Sequence, residues 1–166
     1  MLGIMRVATY HTTFMRTLTL ALTTVLAFWL HSALAASPEE EARFVAAAKL
    51  AFEKHDSNAL IALTCWDRVT AKLKVSGETR YTKQVALTAT DVVLSDPDPN
   101  SPDLEWKDED GVANRSNLPV TKHLKITFAP GSSIELKRGP VKVKDVTYPV
   151  GEKEGKLFLL QPAPVK

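Results

Sequence analysis

"AFEKHDSNALIALTCWDRV", residues 51–69, decides the fold, because it reads as the corner of a helical hairpin. Just upstream, Phe44, Ala47, Ala48, Ala51 and Phe52 form one stripe at helical spacing. Alanines make that stripe thin, so a neighbouring element is expected to pack close against it. Ser37-Pro38-Glu39-Glu40 opens the helix. Ser37 caps it, Pro38 suits the first helical position, and Glu40 completes a capping box. Glu39, Glu40 and Glu41 also sit at the positive end of the helix dipole. The helix is expected to run to about Lys54. His55-Asp56-Ser57-Asn58 breaks it and caps a second helix over Ala59–Trp66, which is apolar all round and so expected to be buried or wedged between layers.

The same stretch holds His55, Cys65 and Asp67, the residue types of a thiol catalytic device. Such a device needs a base within hydrogen-bond reach and a depressed thiol pKa. His55 closes one helix, Cys65 lies most of a turned-back helix away, and Asp67 follows two residues on, facing elsewhere. Cys65 among Ile61, Leu63 and Trp66 reads as a small buried hydrophobe. His55 reads as a charge favouring the dipole's C-terminal end. The sequence therefore gives no catalytic residues.

Beyond the hairpin, residues 67–84 are mixed and charged, a third helix or helical turn interrupted near Gly77. The period then changes to two. Residues 85–90 alternate, and Val92-Val93-Leu94 continue with a shifted face across Asp91, which predicts a bulge or bend. His123–Phe128 alternates with Leu124, Ile126 and Phe128 inward. Ser133–Leu136, Val141–Val150 and Lys156–Leu160 are further strands, with a hairpin turn at Glu152-Lys153-Glu154-Gly155. Helices first and strands afterwards predict an α+β domain with an antiparallel sheet. The domain should occupy residues 36–160, and 161–166 should be an extended, loose tail.

The N-terminus looks like a secretory leader. Arg16 supplies a short positive region, Leu18–Leu30 is a run of apolar and Thr residues, and Ala33-Leu34-Ala35 gives a small-x-small cleavage pattern. Residues 1–35 are thus read as a signal peptide, with Met15 as an alternative start. The apolar core is shorter than the roughly 20 residues of a spanning helix, so no membrane attachment is expected after cleavage; the alternative is an uncleaved anchor running from Thr17 to Ala36. The expected location is exported, periplasmic or extracellular. Removing Arg6 and Arg16 leaves 19 basic against 19 acidic residues, a formal charge of zero. That balance gives no support to nucleic-acid binding. One cysteine in the mature chain excludes an internal disulfide, so stability must come from burial.

Other motifs are weaker. Residues 91–111 carry eight acids against Lys107 alone, and residues 121–166 carry nine basic residues against four acids. Asp96, Asp98 and Asn100 match the first three ligand positions of an EF-hand loop. Ser101 stands where the turn glycine belongs, and Lys107 where the bidentate Glu belongs, so no metal site is expected. Asn114-Arg115-Ser116 is a glycosylation sequon, and His123 alternates onto a solvent face.

"AAAKLAFEKHDSNALIALTCWDRV" resembles the opening of the SnoaL-like and nuclear-transport-factor-2-like families. Ala51-Phe52, Asp56, Ala59-Leu60, Leu63 and Asp67 occupy the places of the family pattern, and "GEKEGKLFLL" is similar to its last two strands. The likeness covers residues 43–69 and 146–160. It implies N-terminal helices packed on a curved antiparallel sheet, a cystatin-like cone whose open end is often a pocket. The isomerase-type members carry an oxyanion-stabilising Tyr where this chain has Ala48, and a carboxylate where it has Ala71-Lys72-Leu73; the first acid beyond Asp67 is Glu78. Both differences argue against that chemistry.

The expectation is an exported, non-catalytic binding module without cofactor, for a small apolar ligand or a protein partner. The alternatives are a small SnoaL-like enzyme of isomerase or dehydratase type, or a dimerisation module pairing through the outer sheet face as a homodimer. Phe128, Tyr148, Phe158 and Trp106 are its candidate pocket or interface aromatics.

Overall fold

Ser37 Oγ accepts from the Glu40 N–H at 3.2 Å, so helix α1 (Pro38–Glu53) starts where the capping signals place it. The computed structural model describes residues 36–97, 106–107, 111–136 and 139–165. The capping box itself is not closed by Glu40. Its carboxylate is taken by Arg43 at 2.7 and 2.8 Å and by the Leu157 N–H at 3.0 Å, which ties the first turn to a distant strand. Phe44, Ala48, Ala51 and Phe52 are buried along one face. The helix stops in a Schellman turn. The Asp56 N–H donates to Ala51 O at 2.8 Å, the His55 N–H to Phe52 O at 3.2 Å, and His55 takes a left-handed φ of 53°.

Helix α2 (Ser57–Ala62) is shorter than the sequence predicts and ends before Trp66. Asp56 caps it through the Asn58 and Ala59 N–H groups. Beyond Ala62 the sheet takes over the backbone. Leu159 donates to Leu63 O and Cys65 donates to Leu159 O, both at 2.9 Å, so Thr64 forms an isolated parallel bridge with Leu159. Nor is this helix buried all round, because Leu60 is enclosed while Ala62 is exposed.

Helix α3 (Ala71–Val85), capped by Thr70, runs through Gly77 without interruption. The glycine there meets a packing demand rather than breaking the helix. A Cβ at Gly77 would lie 3.1 Å from Gln161 Oε1 and 3.2 Å from the Trp66 ring. Val85 is the last turn of this helix, so the alternation predicted from Val85 onward begins only at Ala89.

The strands follow: β1 (Ala89–Ser95), β2 (Trp106–Lys107), β3 (Ala113–Ser116), β4 (Lys122–Phe128), β5 (Ser133–Leu136), β6 (Gly139–Lys142), β7 (Asp145–Lys153), β8 (Lys156–Leu159) and β9 (Pro162–Pro164). A curled antiparallel sheet in the order β1-β4-β7-β8 carries the core. Leu124, Ile126 and Phe128 point inward as their alternation predicts, beside Val92, Tyr148, Val150, Leu157 and Leu159. Helices packed on this curled sheet make the domain α+β. The predicted strand over Val141–Val150 is two strands, because the chain breaks between β6 and β7 while Val143 bonds back to Ser132.

The tail is extended but not loose. Strand β9 pairs with β3, Ala163 is buried, and the Asn117 and Gln161 backbones exchange a hydrogen bond of 3.0 Å. Asn117, itself buried, also donates through Nδ2 to the Cys65 and Asp67 carbonyls at 2.8 and 3.2 Å. That side chain clamps the loop after α2 to the last strand.

Candidate functional site

The space between α3 and the sheet is filled by side chains that satisfy one another. Tyr81 and Tyr148 are 0% and 2% exposed, with ring centroids 5.8 Å apart. The Tyr148 hydroxyl donates to Gln84 Oε1. The Tyr81 oxygen accepts from Thr64 Oγ1 at 3.0 Å and Gln161 Nε2 at 2.6 Å. The Arg80 guanidinium lies 5.6 and 5.7 Å from the two ring centroids and donates to Gln161 Oε1 at 3.0 Å. Burial pushes both phenols above their ordinary pKa, opposed at Tyr81 mainly by the Thr64 bond. Arg80, Gln161, Tyr81 and Thr64 thus form one hydrogen-bonded network, beside the Tyr148–Gln84 pair.

A groove of about 330 Å³ opens instead where the end of α1 faces the start of β1. Lys49, Phe52 and Glu53 line it from one helical face, followed by His55 at the turn. The His55 ring donates from Nδ1 to the Val85 carbonyl at 2.6 Å, holding the groove's end against the end of α3. Thr88, Ala89, Thr90, Asp91 and Val92 form the opposite wall. The predicted bulge lies in this wall. The pairing jumps from Ala89↔Phe128 to Asp91↔Thr127, which leaves Thr90 as the extra residue, its Oγ1 bonded to Thr127 O at 3.1 Å.

Strand β1 ends the sheet, and no other described strand pairs with its outer side. The Val92 N–H donates to the Asp91 carboxylate at 2.9 Å, so that backbone donor is engaged within the chain. The groove thus offers two basic side chains, two carboxylates and a strand edge over a floor of Phe52, Ala89 and Val92. Sequence reasoning missed it. Lys49, Glu53 and Thr88 look like ordinary solvated residues, and only the fold brings α1 beside the bulge.

The thiol device does not assemble. Cys65 is a free, buried thiol on the strand-like turn after α2, while His55 is held at Val85. Contrary to the expectation that it faces elsewhere, Asp67 comes within side-chain hydrogen-bond reach of Cys65, which lowers its carboxyl slightly; the main lowering is from Lys153 at 2.6 Å, and His55 is not part of the arrangement. No group of three His, Cys, Asp or Glu side chains suited to a metal occurs among the described residues. Asp96 pairs with Lys122 at 2.8 Å, while Asp98, Asn100 and Ser101 of the EF-hand-like stretch lie outside the described residues. Asn114, the sequon residue, is fully buried with Nδ2 on the Val112 carbonyl at 2.8 Å, which removes it as a glycan acceptor in the folded state.

Of the candidate aromatics, Phe128 and Tyr148 are core and Phe158 is half-buried; the Trp106 side chain lies outside the described residues. Ala48 is fully buried. The outer sheet face carries Asp91, Ser95, Lys125, Asp145 and Thr147 around the exposed Val93, with Lys125 and Asp145 3.7 Å apart. No known family, curated protein or solved structure matches this chain.

Proposed function

We propose that this is an exported, non-catalytic binding module of SnoaL-like or nuclear-transport-factor-2-like architecture, and that it takes an extended segment of a protein partner in the groove between α1 and β1. The cone reading is supported by the order of helices before a curled sheet and by the Thr64–Leu159 bridge, which ties the helical hairpin to the sheet's far edge strand. The observation that carries the binding reading is the open edge of β1 beside a groove of mixed charge. An extended chain added to such an edge gains main-chain hydrogen bonds, while flanking side chains choose the sequence. A small apolar ligand is favoured by an enclosed apolar pocket, and the apolar interior here is occupied by Tyr81, Tyr148, Phe52 and Phe128.

The test is selection of binders from a displayed random-peptide library. Selected peptides are expected to lose binding to Thr88→Trp, which fills the groove from an exposed position, and to Lys49→Glu, with the melting temperature unchanged. Peptides that bind both variants as well as the parent, or a library that yields none dependent on the groove, refute the reading. Export is checked separately, by mass spectrometry of the protein recovered outside the cytoplasm.

A further inference from the structure

The Ala36 nitrogen donates to Glu152 Oε2 at 2.7 Å across 116 residues of sequence. Ala36 is half-buried, packs against the core, and immediately precedes the Ser37 cap of α1. It is also the residue that the Ala33-Leu34-Ala35 pattern would leave first after leader removal. We infer that Glu152 is the docking site for a processed N-terminus: hydrolysis of the Ala35–Ala36 bond turns this amide hydrogen bond into an ion pair that fastens α1 to β7. The inference rests on the export reading for the cleavage itself.

The step is an ordinary peptide hydrolysis by a leader-removing peptidase. The C–N bond breaks, water's hydroxyl goes to the Ala35 carbonyl carbon, and its proton goes to the Ala36 nitrogen. At neutral pH that amine takes up a further proton and becomes an ammonium, since its ordinary pKa is about 7.7–8.0. A positive charge next to a helix N-terminus is opposed by the helix dipole. A carboxylate within hydrogen-bond distance reverses that opposition and makes the bond charge-assisted.

The neighbouring charges leave Glu152 for this task. Glu40 on α1 is engaged by Arg43 and the Leu157 N–H, with Lys156 of β8 acting on it at longer range. Glu41 pairs with Lys122 at 3.1 Å, and Lys153 with Asp67 at 2.6 Å. Glu39 and Glu154 are exposed. The Glu152 carboxylate, at hydrogen-bond distance from the nitrogen, favours the charged form of the amine.

Residues 36–166 form a compact unit with its own core, so the chain can be produced starting at Ala36. A control chain carries Gly-Ser before Ala36, which keeps the amide and moves the ammonium away. Glu152→Gln is placed in both. The expected result is a loss of several degrees in melting temperature on Glu152→Gln in the Ala36-start chain and less than half of that in the control. The Ala36 amine should be labelled about tenfold more slowly by an amine reagent at pH 7 in the folded chain than in the urea-unfolded chain.

Equal losses in both chains, or an amine labelled as fast folded as unfolded, overturn the proposal. If Glu152→Gln does not fold, the labelling of the parent chain still decides. The two readings fail separately. Intact leader on the cellular protein defeats the export reading, whereas an Ala36 terminus with an ordinary amine defeats only the ion pair.

Discussion

The His55 ring bonds to the carbonyl of Val85 at 2.6 Å, joining the end of α1 to the end of α3. His55 does so from a left-handed conformation, φ 53°, at a position where helices usually place glycine. Left-handed backbone disfavours a Cβ by roughly 1–2 kcal/mol, and one hydrogen bond returns about 0.5–1.5 kcal/mol. The two nearly cancel.

Hence His55→Ala, which keeps the Cβ and loses the bond, should lower stability by about 1 kcal/mol. His55→Gly should be more stable than His55→Ala by about 1 kcal/mol, because it removes the strain as well. Urea melts of the three proteins check this. Equal stability of the two variants would mean that the Schellman turn is not held in its left-handed form.

Glycine substitutions at two close approaches should differ in severity. A Cβ at Gly151 would lie 2.6 Å from the Pro119 carbonyl oxygen, a backbone atom that cannot swing aside. Gly151→Ala should therefore cost about 1–3 kcal/mol, the range for overpacking. At Gly77 the obstructing atoms are side chains, but Gln161 is fixed by Arg80 and Tyr81. Gly77→Ala gains about 1 kcal/mol of helix propensity and should still emerge net destabilising, less so than Gly151→Ala. Thermal denaturation of both variants gives the order.

Much of the architecture was legible because local chemistry decides it. The Ser37 cap, the helix break at His55-Asp56-Ser57-Asn58, the inward Leu124, Ile126 and Phe128, the bulge by Asp91 and the turn at Glu154-Gly155 all rest on patterns within a few residues. The errors arise where distant partners overrule them. Gly77 looked like a break because Trp66 and Gln161 cannot be seen approaching it, and residues 161–166 looked loose because β3 is remote in sequence. Leu63–Cys65 left the helix because Leu159 claims their backbone. The groove was illegible for the same reason, since its walls are some forty residues apart.

Cys65, 6% exposed, should resist an alkylating reagent while the protein is folded and react once it is unfolded in urea. Counting labelled molecules by mass spectrometry at neutral pH gives the answer. Rapid labelling of the folded protein would show an accessible, activated thiolate and return the residue to the functional candidates.

Phe52 on the α1 stripe and Leu63 at the hairpin corner are not equally enclosed. Phe52 is 2% exposed, with its ring centroid 5.9 Å from that of Phe128, whereas Leu63 is half-buried. Phe52→Ala should cost about 3–5 kcal/mol, and Leu63→Ala distinctly less. Chemical denaturation of the pair measures the difference, and equal losses would contradict the packing at the hairpin corner.

The Tyr148–Gln84 bond should set the alkaline limit of stability. Tyr148→Phe removes the hydroxyl and leaves Gln84 Oε1 buried without that donor, which should cost about 1–3 kcal/mol. Adding Gln84→Met removes the orphaned acceptor, so the double variant should recover much of the loss. The pH dependence follows from burial, which raises the phenol pKa of both Tyr148 and Tyr81 above the unfolded value of about 10. Below that value both states keep their phenolic protons and the stabilisation is complete. Above it the unfolded chain loses protons that the folded chain retains, so stability falls as pH rises toward the folded pKa. Unfolding free energies from pH 8 to 11 should therefore decline beyond about pH 10, with a shallower slope in Tyr148→Phe. A slope unchanged by that substitution would show that the Tyr148 hydroxyl reaches solvent in the folded protein.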